Sequence, residues 1–210
     1  MHTHSIASPD GSLQLSDYRS MLDKQKLDYI AITDHDTIDF AVEAQAALGA
    51  RIIVGEEIST TEGELIGLYL TEAVPPQLSA AEAVRAIKQQ GGLVYVPHPF
   101  ETVRKGLTEQ ALAAIAHSVD IVEIYNGRAL QKRGGQAESW ATGRHLPGAA
   151  SSDAHGKHGW GRTYSVVDRV PTVDTLPQLL GAARFVHRWP GIVGLLYPKF
   201  NRLRGGTRRG

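Results

Sequence analysis

The chain has no cysteine. A disulfide framework and a thiolate metal site are both excluded, a reducing compartment suits the composition, and histidine and carboxylate remain as the available metal ligands. Nor is there an excess of either charge. Its 22 basic residues balance 22 acidic ones, so charge implies no general attraction to nucleic acid or membrane. No apolar run approaches the length of a membrane span, and no basic n-region with an apolar h-region precedes His2, so the expectation is a soluble, cytoplasmic protein. What is present is a chain of 210 residues, 42% of them hydrophobic, which is long enough to bury a sizeable core and best matched by one α/β domain.

The most informative stretch is the first. His2-Thr3-His4 puts two imidazoles at i and i+2, which share a face when the backbone is extended, so both can reach one point, most simply a metal ion. Ser8-Pro9-Asp10-Gly11 reads as a turn that bends Asp10 back over the end of that segment. A helix is expected over 16–27, followed by a buried strand Tyr29-Ile30-Ala31-Ile32 that ends in Thr33-Asp34-His35-Asp36. Asp34 or Asp36 could simply cap the next helix, expected over 38–48, but a cap leaves His35 without a role.

The pattern then recurs. A strand over 51–54 ends at Gly55-Glu56-Glu57, another over 64–70 begins with Glu64, and a helix over 80–90 leads to the strand 93–96 and Pro97-His98-Pro99. A helix over 108–117 and a strand over 120–124 lead to Tyr125-Asn126-Gly127-Arg128; a helix over 130–142 and a strand over 148–151 lead to Ser152-Asp153-Ala154-His155. Strand after strand ends in histidine or carboxylate. In a closed or nearly closed β/α barrel those ends meet at one face, so residues far apart in sequence converge on one site. A last helix is expected over 172–185. From 191 to 210 the chain is basic, with Lys199, Arg202, Arg204, Arg208 and Arg209 and no acidic residue, and reads as a solvated or disordered end; the sharper alternative is a phosphate-rich partner, nucleic acid or anionic lipid.

These residues together resemble the successive motifs of the PHP domain (polymerase and histidinol phosphatase), from Met1 to about Tyr164. The resemblance implies an α/β fold, a distorted seven-stranded TIM-like β/α barrel with two or three divalent ions (manganese, iron or zinc) at the C-terminal ends of its strands. On that basis residues 1–190 form the PHP domain and 191–210 its basic tail. The implied ligands are His2, His4, Asp10, His35, Glu57, Glu64, His98, Asp153 and His155. Glu57 would bridge an ion held by His2, His4 and Asp153 and another held by Glu64 and His98, with Asp10, His35 and His155 on a third. Many family members carry histidine where this chain has Glu64, and the extra carboxylate favours a harder ion such as manganese over zinc. Only Met1 precedes His2, which leaves either a very short first strand or a start that lies upstream.

Such a cluster suits a metal-dependent phosphoesterase. Paired ions lower the pKa of a bridging water toward about 7, so a metal-bound hydroxide is expected to attack a phosphoester, with Glu57 and Asp153 at the reacting centre. The substrate would be a small phosphate ester, a nucleotide or an oligonucleotide end. Arg128 is the first candidate for holding its phosphate, followed by Lys157, His158 and Arg162. Two alternatives stand beside this: a non-catalytic PHP module that binds or stabilises, and hydrolysis of a C–N bond by the same hydroxide. Oligomeric state is not written in these motifs.

Overall fold

The computed structural model describes residues 1–129 and 133–206. The main sheet contains β1 (Ile30–His35), β2 (Ile52–Thr60), β3 (Gly63–Leu68), β4 (Leu93–Val96), β5 (Ile121–Asn126) and β6 (Gly148–Ser151), arranged in chain order. β1–β2, β4–β5 and β5–β6 pair in parallel, whereas β3 runs antiparallel to both of its neighbours. The reversal matters for the site. Glu64, at the start of β3, pairs with Ser59 near the end of β2 and so reaches the same edge of the sheet as the C-terminal ends of the parallel strands.

The sheet is a curled, parallel-rich half-barrel of six strands, one fewer than expected. The segment expected as the first strand makes only isolated bridges, Thr3 with Ala154 and Ser5 with Leu13. It nevertheless spans the open side of the sheet: Thr33 N donates to Thr3 O at 3.0 Å, and His4 N donates to Ala154 O at 2.8 Å. One extended residue with a partner on each side suffices to alternate His2 and His4 about Thr3.

The two faces of the strands bury different side chains, as period-two alternation requires. Ile30, Ile32, Val54, Val94, Val96 and Val122 pack outward under α1 (Leu15–Asp23), α2 (Asp39–Leu48), α3 (Ala80–Gln89), α4 (Glu109–Ile115) and α5 (Gly134–Thr142). Ala31, Ile53, Ile66, Tyr95, Ile121 and Ala149 fill the inside, where Leu176 and Leu180 of α6 (Leu176–Gly181) join them. α3 shows why such a segment is helical. Ala80, Ala83, Val84 and Ile87 make one buried stripe, and Ser79 and Glu82 close a reciprocal cap, with Ser79 N donating to Glu82 Oε2 at 2.9 Å.

Three expectations change. The helix expected over 16–27 stops at Asp23, because Gln25 takes a left-handed backbone at φ 49°. The helix expected over 130–142 is present from Gly134, and its expected start at Leu130 lies outside the described residues. The helix expected over 172–185 shrinks to α6, and Arg184–His187 instead forms β8, antiparallel to β7 (Thr163–Val166). Alternation overrides helix propensity there: Phe185 and His187 share one face and both pack on the ring of Tyr125, at 5.8 and 5.5 Å.

The basic end is also corrected over 191–206. It forms α7 (Gly191–Gly206), whose buried edge carries Gly194, Pro198 and Asn201; Arg208 and Arg209 lie outside the described residues. Gly194 is needed there, since a Cβ would come within 3.0 Å of the His158 carbonyl oxygen. Among the described residues no helix is long and apolar enough to cross a membrane.

Candidate metal centre

His35 ends β1, Glu57 lies in the last part of β2, His98 follows β4, and Asp153 and His155 follow β6. Together with His2, His4 and Asp10 they line one pocket edge of the half-barrel, and all but His35 are buried. Two of them hold left-handed backbones, His98 at φ 28° and Asp153 at φ 48°. For non-glycine residues such geometry costs about 1–3 kcal/mol and persists only where neighbours enforce it. For His98 the enforcing contact is its own amide, which donates to Glu123 Oε2 at 2.7 Å.

The donor atoms fall into three overlapping groups that could each hold an ion: His2, His4 and Asp153; His2, Glu57 and His98; and His4, Asp10, His35 and His155. Within each group the atoms lie within 4.8 Å of one another. Glu57 lies among them all. Its Oε1 is 3.3 Å from His2 Nε2 and 3.1 Å from His98 Nε2, while Oε2 is 3.2 Å from both His4 Nε2 and His35 Nδ1. Asp10 Oδ1 faces His35 Nε2 at 3.5 Å and His155 Nε2 at 3.4 Å. Glu64 stands beside these groups, 3.8 Å from His98 Nε2 and 3.9 Å from Lys105 Nζ.

These donors fit divalent ions. His2 Nδ1 is held by Glu123 Oε1 at 3.3 Å and His4 Nδ1 by Ser8 Oγ at 3.1 Å, which turns both Nε2 atoms inward to face each other at 3.1 Å. An imidazole that donates from one nitrogen to an outer acceptor presents the lone pair of the other, the usual state of a ligating histidine. Asp10 Oδ1 is buried with no hydrogen-bond partner, a cost of about 1–3 kcal/mol that an ion would remove. The protonation equilibria express the same crowding of negative charge. Burial opposes ionisation of Glu57 and Asp153, yet the His2 imidazole holds both well below the usual carboxylate range. Burial would neutralise His4, but hydrogen bonds to Asp153 and Glu57 lift it to about 9. Burial pushes Glu64 up, and the Glu57 carboxylate adds to the rise, to about 9. His155 moves the other way, lowered to about 3 by burial and then by the charges of His4 and Arg128.

Of the expected phosphate-holding residues, the structure brings only Arg128 into the site. Its Nη1 lies 3.4 Å from Asp153 Oδ1 and 3.1 Å from His155 Nδ1. Lys157 points away to Asp17 at 2.9 Å, His158 stacks on Tyr197, and Arg162 donates to Trp189 O at 3.3 Å. The reason is local: residues 156–161 turn outward past Asp153 and His155, with left-handed glycines at Gly159 and Gly161. The cleft over the donors, about 750 Å³, draws its cations from elsewhere: Arg104, Lys105, Arg128, Lys199 and Arg202.

Several residues that serve the site were not expected. Arg104 pairs with both Glu101 oxygens, at 2.9 and 2.8 Å, and with Asp153. Glu123 accepts from Tyr95, His98 and Asn126 as well as His2. Burial pushes the Glu123 carboxyl up, but the His2 ring outweighs it and holds it at about 2. The available signal was a lone carboxylate inside the apolar run Ile121-Val122-Glu123-Ile124. Asp34, read as a possible helix cap, instead ties the first loop to β1, accepting from Ser5 N at 2.6 Å and Ser8 Oγ at 2.7 Å.

The model of the PHP domain matches residues 1–123, more than half of the chain. The chain belongs to the PHP domain family. An uncharacterised protein of Methanocaldococcus jannaschii is 37% identical over 121 residues, 56% of this chain and 69% of that one. Among solved structures, a two-domain protein of Bacteroides vulgatus containing a predicted PHP-like metal-dependent phosphoesterase superposes with a TM-score of 0.68 at 22% identity, covering 96% of this chain and 68% of that one. Endonuclease Q, solved with a 27-mer duplex substrate carrying an abasic lesion at its active site, superposes with a TM-score of 0.63 at 15% identity over 90% of this chain and 59% of that one. At these identities the two structures speak for the PHP fold alone.

Proposed function

We propose that this PHP protein is a metal-dependent hydrolase that cleaves a phosphoester in a small phosphate ester, a nucleotide or an oligonucleotide end. The observation that supports it best is the sharing of Glu57 among four imidazoles, His2, His4, His35 and His98, directly beneath a cleft edged with cations. Divalent ions bound there would supply a water of lowered pKa and positive charge for the phosphate oxygens. With four carboxylates among the proposed ligands, Asp10, Glu57, Glu64 and Asp153, manganese or iron suits the set better than a softer ion.

The chain's own residues divide the remaining work. Glu57 and Asp153 hold the centre together, and Arg104, committed to Glu101, Asn126 and Asp153, keeps Asp153 aimed. Arg128 is less committed. Its Nη1 is shared between Asp153 and His155 and its Nε is without a partner, so the protein does not saturate its guanidinium, which lines the cleft. Lys105 and Lys199 line the cleft further out and suit the non-reacting charge of the substrate.

The decisive experiment couples metal analysis of the purified protein to release of phosphate or nucleotide from a panel of phosphomonoesters, phosphodiesters and short oligonucleotides, with amide substrates in parallel. Turnover of a phosphoester that stops on chelation and returns with manganese is expected. Tightly bound metal with no turnover of any phosphoester would overturn the reading and favour a binding module.

A further inference from the structure

α7 reaches the metal centre from the far end of the chain. Asn201, buried on its inner edge, donates from Nδ2 to Asp10 O at 2.8 Å and to His155 O at 3.0 Å. One side-chain amide thus ties together two loops that are 145 residues apart in sequence and that carry two of the four donors in the His4, Asp10, His35 and His155 group. The next residue acts on the carboxylate itself. Arg202 Nη2 donates to Asp10 Oδ2 at 2.7 Å, while Oδ1, the atom that faces His35 and His155, is left without a hydrogen-bond partner.

Those contacts fix both degrees of freedom that matter for Asp10. Asn201 sets where its backbone sits relative to His155, and Arg202 sets the rotation of its carboxyl so that the free oxygen points at the imidazoles. Ser12 Oγ adds a third tie by donating to His155 O at 2.8 Å. Among the described residues, the groups built on Glu57, His98 and Asp153 receive no such contact from α7. They are held instead by Glu123, Arg104 and Asn126, all from β5 or the loop after β4.

We propose that α7 is the latch of the ion site formed by His4, Asp10, His35 and His155: Asn201 and Arg202 are positioning residues that complete this site and leave the other two groups untouched. The inference rests on the metal-dependent reading of the centre but not on which bond is cleaved. Outer contacts that orient a ligand are typically worth about 10- to 100-fold in metal affinity, so loss of either side chain weakens one ion by about that factor.

The test is a manganese titration of the chelator-stripped full chain, by calorimetry and by metal content after gel filtration, for wild type, Asn201→Ala, Arg202→Gln and Asp10→Ala. Arg202 is 68% exposed in its side chain, so Arg202→Gln keeps the fold and keeps the experiment decisive even if Asn201→Ala destabilises the helix. The expected result is one class of site, the class that Asp10→Ala removes, weakened about 10-fold or more by Arg202→Gln and by Asn201→Ala with the other classes unchanged. Unchanged affinities in Arg202→Gln, equal weakening of every class, or a wild type with no Asp10-dependent ion would each overturn the latch. None of these bears on phosphoester turnover, which the two remaining groups could support. A stripped protein that takes up no manganese at all would instead overturn both readings.

Discussion

Glu123→Gln is the sharpest test of how the centre is held, because the change conserves shape while it removes the charge and turns one acceptor oxygen into a donor. In the native chain Oε1 accepts from Tyr95 OH at 2.8 Å and faces His2 Nδ1 at 3.3 Å, while Oε2 accepts from His98 N and Asn126 Nδ2, both at 2.7 Å. The new NH2 is cheapest at the Oε1 position, where Tyr95 OH can accept from it and donate instead to Ser151 Oγ 2.7 Å away, so that one buried donor, His2 Nδ1, loses its acceptor. At about 1–3 kcal/mol for a buried group left unpaired, about 2 kcal/mol is a fair centre for the loss. For a chain of this size that lowers the melting temperature of the metal-free protein by about 4–8 °C. The same change removes the acceptor that orients His2, so manganese affinity should fall by about 10- to 100-fold. Thermal melts in chelator followed by manganese titration read the two effects separately. A melting temperature within about 2 °C of wild type would refute the reasoning, since it would mean that the buried hydrogen bonds to Glu123 contribute almost nothing.

Glu57→Gln should remove the carboxylate shared by four imidazoles and lower turnover by at least about 100-fold, with a measurable loss of bound metal; full metal content would remove Glu57 from the ligand set. Arg128→Ala should raise KM for a phosphorylated substrate, whereas Lys157→Ala and Arg162→Ala, whose side chains turn away from the cleft, should leave it unchanged; the reverse pattern in steady-state kinetics would reassign the phosphate contact. Each manganese ion bound at about 100 times its dissociation constant should stabilise the fold by about 2.7 kcal/mol over the chelated state, a rise in melting temperature that chelator reverses; a melting temperature that manganese leaves unchanged would count against ions bound to the folded chain.

Much of the site was legible in the sequence because its chemistry is written in single residues at strand ends. His35, Glu57, His98, Asp153 and His155 each follow a short apolar run, and the rule that parallel strands present their C-terminal ends to one side brings such residues together without coordinates. The i, i+2 spacing of His2 and His4 needed only an extended backbone, and one bridged residue, Thr3, is enough to supply it. The supporting residues were less visible. Glu123 and Asn126 act through hydrogen bonds to residues distant in sequence, and a residue's own neighbours do not reveal such partners.

Composition and spacing by themselves determined which donors the chain can offer an ion, imidazole and carboxylate without thiolate, and the alternation of strand and helix that gathers those donors on one edge. Tertiary structure alone decided three things: that the half-barrel sheet has six strands among the described residues with the first segment reduced to isolated bridges, that β8 replaces the end of an expected helix, and that α7 folds back over the centre. The physical reason is the range of the interactions. Periodicity and turn chemistry act over a few residues and leave a local trace, whereas Asn201 meets Asp10 across 191 residues, and Lys157, two positions from His155, faces Asp17 instead of the cleft. Long-range packing selects those contacts from many that the local pattern permits equally well.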